Sequence, residues 1–276
     1  MSERITIKSE SQHEAMKRAG ELTGMTLNYV GSLVRPGVTT KELDEAAEEF
    51  IRRHGGVPSF LHYEGYPASI CTSVNEQVVH GIPSKKVRLK EGDIISVDCG
   101  AIIDGFHGDA ARTFFVGEVP EEVKRLVRVT EECFFKGFEM AQPGNHIADI
   151  SRVIQQHAEE NGYGVVRELV GHGIGSSMHE APEVPNYLNR RFGRGTKLIP
   201  GMAIAVEPMI TLGERYINVL DDGWTCVTAD GKPAAHYENT IFITENGPEL
   251  LTLVEPEQPA ECCEAAEDDA PAGEEA

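Results

Sequence analysis

The sequence predicts an α+β fold made of two similar halves. Three observations lead there: paired helical stretches precede strand-like runs, one ten-residue pattern occurs twice, and carboxylates stand in strands that should be buried. LKEGDIISVD (89–98) and LIPGMAIAVE (198–207) share the pattern Leu-x-x-Gly-x-x-Ile-x-Val-acid. Each follows a His-Gly-Ile element, HGIP at 80–83 and HGIG at 172–175, and each half has two helices ahead of that element. A repeat of this kind organises a fold. It predicts two halves about a pseudo-twofold axis, with Asp98 and Glu207 in equivalent places near it; chance similarity between two buried strands is the alternative.

Taken in order, residues 11–34 carry apolar side chains at three-and-four spacing, an amphipathic helix ended near Pro36-Gly37. Thr39-Thr40-Lys41-Glu42 has the form of a capping box, and Leu43, Ala46, Ala47, Phe50 and Ile51 make the apolar face of a second helix that Gly55-Gly56 stops. Two further helices are expected at 121–141, opened by Pro120, and at 147–161, with Pro143-Gly144 between them. Strand-like runs lie at 69–74, 93–101, 110–116, 202–210 and 236–244. Asp104-Gly105 is a hairpin signal. With that pair at the centre of the turn, positions summing to 209 face each other, so Asp98 stands opposite Ala111 and Asp109 lies diagonally on the same face. The two carboxylates then fall slightly short of bridging distance, which a β-bulge would correct.

Composition narrows the class. A chain of 276 residues buries a core without staples, and the scattered cysteines, apart from adjacent Cys262 and Cys263, form neither a disulfide framework nor a zinc spacing. No run of eighteen apolar residues occurs, and MSERITIKSE lacks the apolar stretch of a signal peptide, so the expected location is the cytoplasm, with no membrane contact. A net charge of −20 argues against direct nucleic-acid binding. Residues 255–276 hold nine acidic residues and no Lys or Arg, leaving −11 for the rest; the segment 254–276 reads as a solvated acidic tail after a folded domain at 1–253.

Asp98 and Asp109 on one buried face would repel each other unless something positive lay between them. Arg112 points to the opposite face by the same alternation. Glu207 ends its strand in AIAVEPM, Glu238 stands in AHYENTIFIT, and His172 sits in the small-residue loop GHGIG. Four carboxylates and one imidazole suit hard divalent cations such as manganese, ferrous iron or cobalt, and four negative charges neutralise two of them. Singly, Glu207 or Glu238 also fits a buried ion pair, and His172 a hydrogen-bonded core histidine. Their joint occurrence on the repeat favours the metal.

VDCGAIIDGFHGDAARTF, GHGIGSSMHEAPEVPNY, AIAVEPM and HYENTI together resemble the pita-bread metallopeptidases, most closely the type I methionine aminopeptidases, over residues 5–250. The resemblance implies a curved, mainly antiparallel sheet and a centre of two divalent ions, Mn, Fe, Co or Zn, held by Asp98, Asp109, His172, Glu207 and Glu238. It implies that Glu207 takes the proton of the attacking water, that His179 contacts the scissile amide or carbonyl oxygen, and that His80 bonds the amide nitrogen. The implied methionine pocket comprises Tyr63, Tyr66, Cys71, Met178 and Trp224, with Phe60 on the rim; Phe60 and Met178 depart from the usual residues there, and Cys71 also reads as core filler. The implied substrate is the N-terminal methionine of a nascent polypeptide with a small second residue, met by a monomer in transient contact with the ribosome. Prolidases and aminopeptidase P share the ligands but carry a large domain ahead of them. Type II enzymes carry an insertion between the positions of His172 and Glu207, which here are only 35 residues apart. A catalytically dead member kept as a binding surface should have lost ligands, and all five are present.

Overall fold

The computed structural model describes residues 5–189 and 193–255. Positions 256–276 of the acidic segment, including Cys262 and Cys263, lie outside the described residues. Among the described residues the helices are α1 (Glu10–Leu33), α2 (Thr40–Arg53), α3 (Glu121–Met140) and α4 (Ile147–Glu160). Helix α1 starts one residue earlier than the apolar spacing suggests, because Ser9 and Gln12 form a reciprocal cap. The Thr39–Glu42 box opens α2 in the same way.

The strands are β1 (Val57–Pro58), β2 (Ile70–Val74), β3 (Gln77–Val79), β4 (Ile94–Ile103), β5 (Phe106–Phe115), β6 (Gly164–Val165), β7 (Gly171–Gly173) and β8 (Glu180–Val184). They continue as β9 (Ala203–Val206), β10 (Met209–Thr211), β11 (Ile217–Val219), β12 (Cys226–Thr228), β13 (Ala234–His236), β14 (Glu238–Thr244) and β15 (Gly247–Leu250). A nine-stranded antiparallel sheet has the order β1-β4-β5-β14-β9-β7-β8, with β2 on β4 and β15 on β14. Two three-stranded sheets, β13-β10-β6 and β11-β12-β3, flank it. The large sheet is curled into a half barrel, the α+β pita-bread architecture.

The repeat is structural. Gly92 and Gly201 take nearly the same left-handed φ, 90° and 89°, just before the strands that end in or carry Asp98 and Glu207. Gly37 donates to the carbonyl of Leu89 as Gly144 does to that of Leu198, both at 2.8 Å. Each half has its own core: α1 and α2 bury Leu27, Leu43 and Ile51 against Ile95 and Val97, and α3 and α4 bury Phe134, Ile150 and Ile154 against Ile204 and Val206.

Four expectations change. The run 202–210 is two strands, because Pro208 has no N–H to continue the ladder; the chain leaves the large sheet at Glu207-Pro208 and enters the small one. The run 236–244 splits at Tyr237 for the matching reason, since β13 pairs β10 while β14 pairs β9. His172 stands on the short strand β7 and not in a loop. No bulge joins Asp98 and Asp109: β4 and β5 run in unbroken register, with Asp98 opposite Ala111 and Gly100 opposite Asp109. The Asp104-Gly105 turn behaves as expected, with φ of 51° and 80°.

Helix α1 crosses β5 where two glycines meet. A Cβ on Gly108 would lie 2.7 Å from the Gly20 backbone. Gly108→Ala therefore forces α1 off the sheet next to Asp109. The expected loss is about 1–3 kcal/mol of unfolding free energy, read from the urea midpoint at unchanged m-value.

Candidate metal centre and substrate pocket

Five adjacent strands each bring one side chain to the concave face. Asp98 comes from β4, Asp109 from β5, Glu238 from β14, Glu207 from the end of β9 and His172 from β7. The register explains the convergence. Asp98 faces Ala111, and Ala111 faces Glu238, so two carboxylates flank one methyl group in a single cross-strand row. Asp109 lies two residues from Ala111 on the same face. Ligand atoms of Asp109, His172 and Glu238 all lie within 4.8 Å of one another, and so do those of Asp98, His236 and Glu238. Glu238 thus closes the gap assigned to a bulge. His172 Nε2 is 3.5 Å from Asp109 Oδ2 and 3.8 Å from Glu207 Oε1.

Among the described residues no Lys or Arg forms an ion pair with this group. The Arg112 guanidinium instead donates to the carbonyls of Ala111 and Glu238 and to Asn239 Oδ1, and stacks on Tyr237. Asp98 Oδ1, Asp109 Oδ1 and Glu238 Oε1 are buried without a hydrogen-bond partner. Burial, followed by the charge of Asp109, pushes the carboxyls of Asp98, Glu207 and Glu238 well above the ordinary range. Burial also raises Asp109. Unpartnered oxygens on neighbouring acids are what a polyvalent cation would satisfy, and the residues fit such an ion. His172 is ready for it: its Nδ1 donates to the carbonyl of Gly173 at 2.9 Å, which turns Nε2 toward the carboxylates. Burial lowers His172 to about 4, so the ring is neutral near pH 7.

The thirteen residues singled out by sequence line one cavity of about 170 Å³. Its apolar end is a packed cluster of Phe60, Tyr66, Cys71 and Met178, with Tyr63 and Trp224 at its edge. The Tyr66 hydroxyl donates to the carbonyl of Gly81 at 3.0 Å, so the ring is fixed. Cys71 is paired directly with Asp98 across β2 and β4, which joins the apolar wall to the acidic floor. His179 stands at the mouth, its Nδ1 2.8 Å from the Tyr63 hydroxyl and its ring edge-on to His172 at 4.3 Å. His80 holds a left-handed φ of 59° and faces the edge of Trp224. Burial, then His179, lowers the pKa of His80.

Two cavity neighbours were missed in the sequence. Glu64 lines the cavity from the short 3-10 turn Tyr63–Gly65, for which the sequence carries no local signal. His236 reaches the acids, and the His-x-Glu spacing that puts it on the same strand face as Glu238 was the available signal. Cavity size alone would mislead: a larger groove of about 300 Å³ beside α4 and β8 offers one carboxylate, Glu183, and no imidazole.

The description that matches this chain over residues 14–245 is metallopeptidase family M24. The chain belongs to that family. It is 57% identical over 251 residues to the methionine aminopeptidase of Clostridium acetobutylicum, covering 91% of this chain and all of that one. It is 47% identical to methionine aminopeptidase 1 of Bacillus subtilis over 250 residues, 91% of this chain and all of the relative. The methionine aminopeptidase of Thermotoga maritima superposes with a TM-score of 0.88 at 45% identity, covering 90% and 99% of the two chains. The Xaa-Pro dipeptidase of Bacillus anthracis gives 0.72 at 26% identity, over 91% of this chain and 63% of that one. Divalent-metal dependence follows from the M24 family.

Chelator-stripped protein should lose stability as pH rises. An acid with a raised folded-state pKa binds its proton more tightly when folded, so its contribution is fully present below about pH 4 and is lost as pH climbs through the folded value. The slope should approach about 1.4 kcal/mol per pH unit for each such group. Below about pH 6.5 the buried histidines, lowered to about 4 by burial, pull the other way, so the test lies above them: urea midpoints from pH 7 to 8 should fall more steeply for stripped than for metal-loaded protein.

Proposed function

We propose that this M24 metallopeptidase removes the N-terminal methionine of nascent polypeptides with a small second residue, as a methionine aminopeptidase. The observation that carries this reading is one cavity joining a sulfur- and aromatic-walled pocket to a cluster of unneutralised carboxylates. The identity to named methionine aminopeptidases, well above that to the dipeptidase, supports it over a prolidase.

Asp98, Asp109, His172, Glu207 and Glu238 would hold two divalent ions. When bound, such ions supply Lewis acidity, a water of lowered pKa and an anchor for the substrate's free amine. Glu207, 14% exposed, is placed at the cavity to accept a proton from an attacking water and hand it to the leaving amine. Its backbone is fixed, since buried Asn186 donates to the Glu207 carbonyl at 2.8 Å. His179 donates from Nε2 to the scissile carbonyl oxygen; with the Tyr63 hydroxyl donating to Nδ1, that tautomer is the one favoured. His80 bonds the scissile amide nitrogen. The methionine side chain packs among Phe60, Tyr63, Tyr66, Cys71, Met178 and Trp224.

Residues 1–253 act as one catalytic unit, a monomer working in the cytoplasm. The acidic segment 254–276, repelled by RNA, tunes docking at the ribosome. Co-sedimentation of the full chain and a chain ending at Leu253 checks this: the shorter chain should bind more, and equal binding at several salt concentrations rejects the idea.

The activity test uses Met-Gly-Met and Met-Ala-Ser peptides. Stripped protein should release methionine only after manganese, cobalt or ferrous iron is restored, and Asp98→Ala should lower kcat/KM by about 10³-fold or more, on the order of 4 kcal/mol. Absence of release with every metal would reject the substrate assignment.

A further inference from the structure

We infer that His236 is a second imidazole ligand of the metal centre, added to the other five on the side of Asp98 and Glu238. This rests on the metal-centre reading above and deepens it. Two triads have the same composition: Asp109, His172 and Glu238 on one side, Asp98, His236 and Glu238 on the other, with each set of ligand atoms within 4.8 Å. His236 Nε2 lies 3.6 Å from Glu238 Oε2.

The ring is 2% exposed, and neither nitrogen has a hydrogen-bond partner among the described residues. A buried imidazole left in that state is unfavourable unless something else binds it. Asp98 Oδ1 and Glu238 Oε1, in the same triad, are equally unpartnered. Three orphan polar side chains meeting at one point describe a cation site better than a hydrophobic core.

The ring is also held in place. The Thr113 hydroxyl accepts from the His236 N–H at 3.1 Å and donates to the His236 carbonyl at 2.9 Å. Next along the chain, Arg112 grips the carbonyl of Glu238. The backbone on either side of Tyr237 is therefore fixed from β5, and the imidazole projects beside Asp98 without rearrangement. A nitrogen donor in each half of the centre shifts preference from magnesium and calcium toward iron, cobalt and zinc.

The test is proton NMR of the full, chelator-stripped chain loaded with cobalt(II). Each imidazole ligand contributes a strongly shifted ring N–H signal. Two are expected, and one in His236→Gln, with the cobalt dissociation constant from calorimetry raised at least about tenfold. A single shifted N–H in the unsubstituted protein, or an unchanged spectrum and affinity in the variant, overturns the inference while leaving the metal centre standing. No cobalt binding by the unsubstituted protein overturns both. Should His236→Gln fail to fold, the signal count in the unsubstituted protein still decides.

Discussion

Four carboxylates cluster at one end of a cavity lined by no Lys or Arg among the described residues, and the arrangement of the strands follows from that. Asp98, Asp109 and Glu238 are buried, each with an oxygen that has no hydrogen-bond partner among the described residues. Such a cluster opposes folding as long as it is charged, because desolvation and mutual repulsion act together. The two halves hold it in place from outside. Phe134 and Ile154 on one side and Leu43 and Ile51 on the other anchor the strands through apolar cores far from the acids. The site is thus strained toward a cation by a scaffold whose stability comes from elsewhere.

A thin seam of the sheet lies at its functional centre. Strands β5 and β14 share only two paired positions, Glu238 with Ala111 and Asn239 with Ala110. Beyond them the strands diverge, and threonines replace the ladder. Thr240 Oγ1 accepts from the Asp109 N–H and donates to the Asp109 carbonyl; Thr113 does the same for His236. Each hydroxyl spans a gap that direct backbone pairing would have closed. The opening leaves room for carboxylates, and the side-chain bridges keep it from collapsing. Ala111, fully buried between Asp98 and Glu238, completes the arrangement, since a larger side chain would occupy the meeting point.

Much of this was legible in sequence because it is local. The Asp104-Gly105 turn sets the β4–β5 register by counting alone, so Asp98 and Asp109 were placed on one face correctly. The repeat placed Glu207 by analogy with Asp98, and the left-handed glycines 92 and 201 show why the pattern contains Gly. What escaped was non-local. The sheet switches at Pro208 and Tyr237 depend on which strands lie alongside, and nothing in AIAVEPM or AHYENT states that. The bulge expectation failed for the same reason: the gap between the aspartates is spanned by Glu238, a residue 129 positions beyond Asp109 and invisible to hairpin geometry. His236 was passed over because a lone histidine beside a glutamate reads as ordinary until Asp98 is seen next to both.

Specificity and metal binding are not separable in this fold. Cys71 sits in the apolar wall and is the cross-strand partner of Asp98, so a shift of β2 moves the pocket and a metal ligand together. Around that wall the backbone adopts conformations that side chains resist: His62, Glu64 and His80 all have φ between 49° and 69°. Strain of this kind persists only where the surroundings impose it. Here the Tyr66 hydroxyl ties the strained 62–66 segment to Gly81, the residue after His80, so one buried phenol links both strained stretches. Remodelling the pocket for a different side chain by changing Tyr66 would therefore release His80 as well. Selectivity is more readily altered at Phe60 or Met178, which line the cavity without that tie, than at Trp224, whose ring packs edge-on against both Tyr66 and His80.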